Sequence, residues 1–330
     1  MNIMDKKLQE LEKNLGAGRV RVGEVMSAHT TFKIGGPAQF YFEANTIDDL
    51  VNAVKTANKL GLPFFIFGGG SNIIVSDNGI KGLVIKNNCR KFTVSKMSGS
   101  VKGKKVGVDK ALVAAESGAL MNQLVRFTID QGLQGLEYQL GLPGTVGGAI
   151  YMNSNFPKKG AYTGDSLYQA KLITRKGEIK EVNNSYFQFG YDKSILQETG
   201  EIVLSVVFRF KPADKKILWE KGMEALNYRS LTQPKGASAG CTFRNISVTD
   251  AVRIPTPQQI TSAGYLVDKA GLKGKRIGDA MISPLHANFI LNFGRAHAQD
   301  VTSLVELAKD EVYKKFGVNL QLEVKTVGFS

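Results

Sequence analysis

Leu8, Leu11 and Leu15 recur at helical spacing, which predicts a short amphipathic helix over residues 5–15. A clearer helix spans 46–60. Ile47, Leu50, Val51, Val54 and Leu60 line one face, Thr46 and Asp49 form a capping box, and Gly61 and Pro63 stop it. The run Phe64-Phe65-Ile66-Phe67 is continuous rather than alternating, so it predicts a strand of the buried type. Ile73-Ile74-Val75 and Leu83-Val84-Ile85 predict further strands around a turn at Asp77-Asn78-Gly79. Residues 92–112 are polar, basic and dotted with glycine, the pattern of a hairpin or surface strands. Leu120, Leu124 and Phe127 mark a helix closed by Gly132. Alternation over 169–210 predicts strands, chiefly Ala170 to Thr174 and Ile202 to Phe210. Lys211-Pro212-Ala213-Asp214 reads as a domain boundary, and a helix through Trp219, Met223 and Leu226 opens the region beyond it. A last helix, about 298–316, carries Val301, Leu304, Val305, Leu307, Ala308 and Val312, and a strand from Leu320 to Val327 ends the chain. The whole reads as a mixed protein of helices and strands without solenoid repeats.

With 330 residues the chain suits two or three domains. An apolar fraction of 43% and a charged fraction of 22% exclude general disorder. No apolar run approaches the roughly 18 residues of a membrane span. The N-terminal stretch MNIMDKKLQELEKN has no hydrophobic core followed by a small-residue cleavage site, so it is not read as a signal peptide. Cys89 and Cys241 cannot make a disulfide framework, and neither sits in a metal-ligand spacing. The expectation is a cytoplasmic protein with reduced thiols and no metal. Lys and Arg number 43 against 29 Asp and Glu, a formal charge of +14 that favours anionic partners. The basic residues are dispersed, with no adjacent run longer than two, which argues against a basic arm or tail.

Glycine is the more telling excess, 36 residues against nine prolines. Gly68-Gly69-Gly70-Ser71-Asn72 follows the predicted buried strand. Consecutive N–H groups in such a turn form a nest for an anion, with Ser71 and Asn72 as further donors; a tight turn is the structural alternative. The cluster is neither GxxxxGK[ST] nor GxGxxG, so those two nucleotide motifs are excluded. Five of the nine residues from Gly141 to Ala149 are Gly or Pro (Gly141, Pro143, Gly144, Gly147, Gly148), and Met152-Asn153 follows. Two such clusters suggest an extended ligand with two or more phosphates. Cys241 lies in Ser238-Ala239-Gly240-Cys241-Thr242-Phe243-Arg244-Asn245. It reads either as a small buried hydrophobe or as a proton donor, since an ordinary thiol titrates near about 8.5. His286 reads as structural or catalytic. Glu323 alternates with Leu322 and Val324, so it points away from its apolar neighbours, to solvent or to a ligand.

Taken in order, Thr30-Thr31-Phe32-Lys33-Ile34-Gly35-Gly36-Pro37-Ala38, Gly68 to Asn72, Gly135-Leu136-Glu137 through Gly148, Phe189-Gly190-Tyr191, Ser238 to Asn245, Ala270 to Gly274, His286 to Ile290 and the terminal strand resemble the UDP-N-acetylenolpyruvoylglucosamine reductases. The resemblance covers nearly the whole chain. It implies an α+β fold with an FAD-binding domain of the vanillyl-alcohol-oxidase (PCMH) type and a smaller α/β substrate-binding domain. On that basis residues 1–213 are expected to bind FAD in two lobes, about 1–87 and 88–213, with 319–330 packing back on them, and 214–318 to bind substrate. The implied reaction has two halves. NADPH reduces FAD, and a hydride then passes from the flavin to the enolpyruvyl ether of UDP-N-acetylglucosamine, giving UDP-N-acetylmuramate for peptidoglycan. Gly35, Gly36, Gly68, Gly69, Gly70, Ser71, Asn72, Gly141, Pro143, Gly144, Thr145, Gly147, Gly148 and Asn153 are the expected FAD contacts. Cys241 stands where the family places its proton donor, often serine, and Glu323 matches the acidic residue that assists enolate stabilisation. Tyr191, Lys193, Arg229, Arg244, Asn245 and His286 are the expected substrate residues, with Lys235 a further candidate for the diphosphate.

Three features depart from the family pattern. Gly190-Tyr191 continues with Asp192-Lys193 where the family has Arg, so the charge is wrong: either Lys193 or Arg244 supplies the cation, or the site is weakened, or the substrate differs. A flavin enzyme of the same fold with a changed substrate is the alternative that Asp192 raises. The segment 152–160 is longer than the usual loop. The region between Asn245 and Gly264 is short and lacks tyrosine, as in the second family subtype. The expected partners are NADPH and a UDP-sugar, not nucleic acid or membrane, and the expected state is a monomer.

Overall fold

The computed structural model describes residues 3–102, 105–253 and 260–329. Its helices are α1 (Ile3–Leu15), α2 (Ile47–Lys59), α3 (Met121–Asp130), α4 (Val146–Met152), α5 (Leu196–Thr199), α6 (Lys215–Thr232), α7 (Val248–Arg253), α8 (Ala263–Lys269) and α9 (Ala298–Phe316). The chain divides into two compact units. One comprises Met1–Val22, Phe40–Gly69 and Gly82–Arg229, the other Gly23–Gln39, Gly70–Lys81 and Ser230–Ser330. The cut differs from the one expected at 213/214. Residues 23–39 and 70–81 join the C-terminal part, and nearly all of α6 stays with the first unit.

The first unit holds two cores. Leu11, Phe40, Phe42, Leu50, Val54, Leu83 and Ile85 belong to one. Leu124, Leu140, Ile150, Leu172, Phe208 and Leu218 belong to the other. In the first core, α2 starts as expected: Thr46 Oγ1 accepts the Asp49 N–H at 3.1 Å. The Asp49 carboxylate accepts from the Asn45 N–H and from both Arg19 terminal nitrogens. Those bonds to Arg19 hold its carboxyl below the usual carboxylate range. The strand Phe64–Phe67 pairs in parallel with Ile80–Asn87, Phe64 opposite Leu83. It is the last strand of a sheet ordered Val20–Val25, Pro37–Ala44, Ile80–Asn87, Phe64–Phe67. As an edge strand it buries only Phe67 fully, less than its continuous apolar run predicted.

Around the second core lies an antiparallel sheet ordered Ile179–Asn183, Leu167–Ile173, Ile202–Pro212, Lys105–Glu116, Phe92–Lys102. The hairpin expected over 92–112 is its last two strands. No domain boundary falls at 211–214: Ala213 N–H donates to Gly132 O, and α6 begins at once. Gly222 of α6 sits so close to Ile129 and Leu140 that an added Cβ would lie 3.1 Å from each. Lys221 reaches the buried Glu137 at 3.4 Å, and Trp219 Nε1 donates to Asp130.

The second unit has its own core, among it Phe32, Ile34, Ile74, Phe243, Leu266, Val301, Leu304 and Val324. Its strands are short: Arg276–Ile277, Ala280–Ile282 and Ile290–Asn292 form a meander. The terminal strand is three residues, Lys325–Val327, parallel to Ile73–Val75, rather than the eight residues expected. Residues 320–324 carry, among the described residues, a single bridge, between Leu322 and Phe243. The Asp77 carboxylate accepts the Ala298 and Gln299 N–H groups at 2.9 and 3.1 Å, capping the 19-residue α9 from a distant loop. Asp77→Ala is therefore expected to lower unfolding free energy by about 1 kcal/mol. Urea titration should show a lower midpoint at unchanged slope.

Candidate active site

In the first unit the two glycine clusters meet. A Cβ on Gly68 would overlap the Thr145 hydroxyl, and one on Gly69 would lie 2.9 Å from Gly144 Cα. Contacts below 3.0 Å leave no room for a side chain, so both positions must be glycine. Many amides of the second cluster are already spent. Gly141 N–H donates to Asn122 Oδ1, Leu142 N–H to Gln139 O, Val146 N–H to Ala119 O and Gly147 N–H to Ser117 O. The cluster also does not stay a loop: α4 begins inside it at Val146. Gly144 and Thr145 keep N–H groups that no acceptor takes among the described residues, and so does Gly69. The anion-binding capacity thus gathers at three amides, with Gly148 exposed one turn on. Pro143 is exposed beside them.

Asn153 ends α4 in the left-handed region at φ 48°. Its side chain donates to Gly190 O and accepts from Gly164 N–H, each at 3.0 Å. It is thereby a clasp between α4 and the Phe189-Gly190-Tyr191 motif. Tyr191 is exposed, whereas Asp192 is buried with φ 47°. Asn155 Nδ2 donates to Asp192 Oδ1 at 3.4 Å, and Gln197 Nε2 to its carbonyl at 2.9 Å. Lys193 pairs with Glu198 at 3.0 Å on the surface. The lengthened segment forms a hairpin, Asn155–Phe156 against Ala161–Tyr162. Phe156 is fully buried in it, stacked on Tyr138 at 5.7 Å and edge-on to Tyr228 at 5.4 Å. Arg229 lies over the same ring and against Gly141.

The second unit brings its candidates together through backbone. Thr242 N–H donates to Asn288 O at 2.7 Å, and Glu323 N–H donates to Thr242 O at 2.9 Å. Cys241 bridges to Phe289. Residues 241–243 therefore lie between the His286 segment and the Glu323 segment. Asn72 joins them: its Nδ2 donates to Glu323 O at 3.4 Å, and its carbonyl accepts the Lys325 N–H at 3.0 Å. Gly70 and Ser71 keep N–H groups untaken among the described residues. Gly35 and Gly36 have a reason internal to this unit. A Cβ on Gly35 would stand 2.8 Å from Val75 Cβ, and one on Gly36 would overlap Asp77 O.

Two positioning residues escaped the sequence reading. Asn288 is buried and grips Phe243 at both ends, accepting its N–H and donating to its carbonyl. Thr31 donates from its N–H to Gly70 O and from Oγ1 to Ser238 O at 2.7 Å. Both residues stand inside the family-like motifs, Thr31 in Thr30–Ala38 and Asn288 in His286–Ile290, but no spacing gives either a role. Asn245 is exposed, and its Oδ1 accepts the first N–H of α8, from Ala263, at 3.1 Å. Arg244 is half-buried, its N–H on Gln321 O. The tyrosine-free stretch after Asn245 carries α7, but residues 254–259 lie outside the described residues.

The two thiols differ. Cys89 is buried, and burial pushes its thiol up to about 12, so it stays protonated and inert. Cys241 is half-buried. His286 packs edge-on to Phe289 at 5.1 Å, and its Nδ1 accepts the Asn288 N–H. Burial holds its pKa below the usual histidine value, so the neutral ring with hydrogen on Nε2 is favoured. Among the described residues no cluster suits a metal ion, and no helix is long and apolar enough to cross a membrane.

Within the first unit, open amides surround paired glycines, an arrangement that fits the phosphates of a cofactor; within the second, a thiol and a carboxylate lie on adjoining segments. Residues 38–183 match the family model of an FAD binding domain. Residues 233–327 match the model for the C-terminal domain of UDP-N-acetylenolpyruvoylglucosamine reductase. A reductase of that name from Halalkalibacterium halodurans is 35% identical over 98% of this chain and 99% of its own length. One from Alkaliphilus oremlandii is 36% identical over 98% of each. The crystal structure of the reductase (MurB) from Thermus caldophilus superposes with a TM-score of 0.72 at 32% identity, covering 93% of this chain and 99% of that one. The chain belongs to the UDP-N-acetylenolpyruvoylglucosamine reductase family, a family of FAD-dependent oxidoreductases. The resemblance and the α+β fold with an FAD-binding domain are borne out.

The half-buried, neutral His286 sets a pH dependence. The folded protein binds this proton less readily than the unfolded chain, whose histidine titrates near about 6.5. Its contribution is fully present above that value and is lost as pH falls through the lower folded pKa. Urea midpoints at about pH 7.5 and about pH 5.5 should differ in this direction, and His286→Gln should narrow the difference.

Proposed function

We propose that the protein catalyses the NADPH-dependent reduction of UDP-N-acetylglucosamine enolpyruvate to UDP-N-acetylmuramate through FAD, in the cytoplasm. Family membership over nearly the full chain supports the reaction class. The single observation that carries the residue assignment is the hydrogen-bonded set Asn72, Thr242, Asn288 and Glu323, which fixes Cys241 and Glu323 on adjoining segments.

The amides of Gly69, Gly144 and Thr145 fit the phosphates of FAD, because they are open donors beside positions where a side chain is excluded. Gly70, Ser71 and Asn72 are assigned to the same cofactor, with Gly35 and Gly36 shaping the loop that presents them. Gly68, Gly141, Pro143, Gly147, Gly148 and Asn153 hold the surrounding backbone. FAD, when bound, supplies the hydride for the enolpyruvyl double bond and is recharged by NADPH. Cys241 Sγ–H then delivers the proton to the neighbouring carbon, and a thiol is a far easier donor than a hydroxyl near neutral pH. Glu323 hydrogen-bonds the oxygen on which negative charge develops. Tyr191, Arg229, Asn245 and His286 are assigned to the substrate. Lys193 pairs with Glu198 on the surface, and Arg244 follows Cys241 by three positions in the second unit; Arg244 or Lys193 is assigned the cation that the family's Arg would supply.

A second reading, a changed substrate, rests on Asp192. Its burial and its contacts with Asn155 and Gln197 favour a structural role for the carboxylate instead.

Cys241→Ala should leave flavin reduction by NADPH intact and slow reoxidation by the enolpyruvyl substrate by about 10²–10⁴-fold, the usual worth of a general acid. Cys241→Ser should retain much of the rate. Anaerobic stopped-flow absorbance reads both halves, and equal loss in both would reassign the residue as structural. Asp192→Asn preserves shape, hydrogen bonds and left-handed backbone. Turnover within a few-fold of wild type supports the structural role; loss of turnover with a folded, flavin-loaded protein gives the carboxylate a part in the reaction, and a wild type whose reduced flavin the UDP-sugar does not reoxidise supports the changed substrate.

A further inference from the structure

Cys241 lies in no strand; it makes an isolated bridge to Phe289. Gly240 before it takes φ 82°, and nothing stands within 4 Å of a Cβ added there, so no neighbour crowds the chain on that side. The residues after it are held chiefly by Asn288. Thr242 and Phe243 offer two N–H groups and two carbonyls, and three of these four go to Asn288. Its carbonyl accepts the Thr242 N–H at 2.7 Å, its Oδ1 accepts the Phe243 N–H at 2.9 Å, and its Nδ2 donates to the Phe243 carbonyl at 2.8 Å. The fourth, the Thr242 carbonyl, accepts the Glu323 N–H at 2.9 Å.

The same residue orders His286. Its N–H donates to Nδ1 at 3.3 Å, which leaves the hydrogen of the neutral ring on Nε2. That ring packs edge-on to Phe289, the bridge partner of Cys241. Helix α8 packs on the pair: a Cβ added to Gly264 would stand 3.1 Å from His286 Cε1 and 3.3 Å from Asn288 Cβ. Asn288 and Phe243 are 3% and 2% exposed, so water has little access to stand in for the side-chain amide. Without that amide the Phe243 N–H and carbonyl would be buried and unpartnered, at a cost of about 1–3 kcal/mol for each group. Segment 241–243 would then shift to satisfy them, and the thiol would move with it.

We propose that Asn288 is the positioning residue of the proton-transfer site, fixing the thiol of Cys241 and the imidazole of His286 from one point. It acts on the reaction through Cys241, so the proposal rests on the assignment of that thiol as proton donor. Misplacing a reacting group by about 1 Å costs on the order of a hundredfold in rate, which sets the size of the effect.

The test is a double-mutant cycle read by anaerobic stopped flow on the full, FAD-loaded chain. Asn288→Ala should slow reoxidation by the enolpyruvyl substrate about a hundredfold and leave flavin reduction by NADPH within about twofold of wild type. In a Cys241→Ala background the same change should cost no more than about twofold, because an absent acid cannot be misplaced. Asn288→Asp keeps the acceptor for the Phe243 N–H and loses the donor to its carbonyl; it should slow reoxidation in the same thiol-dependent way, and it carries the test if the alanine variant does not fold. The positioning role is overturned, and the reductase reading left standing, by wild-type reoxidation in the Asn288 variants, by equal slowing with and without the thiol, or by equal loss in both half-reactions. A wild type whose reduced flavin the UDP-sugar does not reoxidise, or a Cys241→Ala variant as fast as wild type, overturns the reading beneath the proposal and the proposal with it.

Discussion

Backbone meeting backbone without room for a Cβ is the constraint on which the rest of this structure depends. In the first unit it acts where Gly68 and Gly69 abut Gly144 and Thr145. That approach fixes the exit of the strand Phe64–Phe67 against the entry of α4. The first turn of α4 is then held by Ala119 and Ser117, and its end by the left-handed Asn153. The second unit repeats the device. Gly36 abuts Asp77, Gly79 abuts Pro37, and Gly328 abuts Gly79. The first two pairs lock the loop that carries Gly35 and Gly36. Rigid glycine junctions suit amides that must already be aimed when an anion arrives, because little ordering remains to be done at binding.

Much of this was legible in the sequence, and the failures have physical causes. The apolar stripe of α9 lies on one face, so its limits of about 298–316 could be read directly. For α6 the stripe is absent. Leu218, Gly222 and Ala225 are buried, yet Ile217, Met223, Tyr228 and Leu231 are exposed. Its attachment to the first unit rests on partners far away in sequence, Glu137, Asp130 and Ile129, which no local pattern reports. The terminal segment alternates over eight residues, but a ladder partner exists only for the last part. In the site, motif position marked Cys241 and Glu323, whereas Asn288 works through geometry alone. An amide side chain bridging both ends of another residue's backbone leaves no trace in spacing.

Two departures from the family pattern, noted separately in the sequence, are physically joined. The lengthened segment supplies Asn155, whose amide meets the carboxylate of Asp192. Its next residue, Phe156, fills the space among Tyr138, Tyr228 and Arg229. Lys158 and Lys159 flank Glu224 of α6 at 3.5 and 3.4 Å. Asp192 and the hairpin of Asn155–Phe156 and Ala161–Tyr162 therefore form one local arrangement.

The parallel pairing of Ile73–Val75 with Lys325–Val327 carries a consequence for biogenesis. Asn72 and Glu323 are 251 positions apart, and the second unit is assembled from three separated stretches of chain. On the ribosome, Ile73–Val75 must wait for Lys325–Val327 to emerge before this pairing can form. Contacts of such separation are slow to form and expose apolar strand in the interval. The first unit, whose last residue is Arg229, can be synthesised in full long before that point. Nascent chains are therefore most vulnerable to aggregation once the first unit is complete and residues 230–327 are still to come.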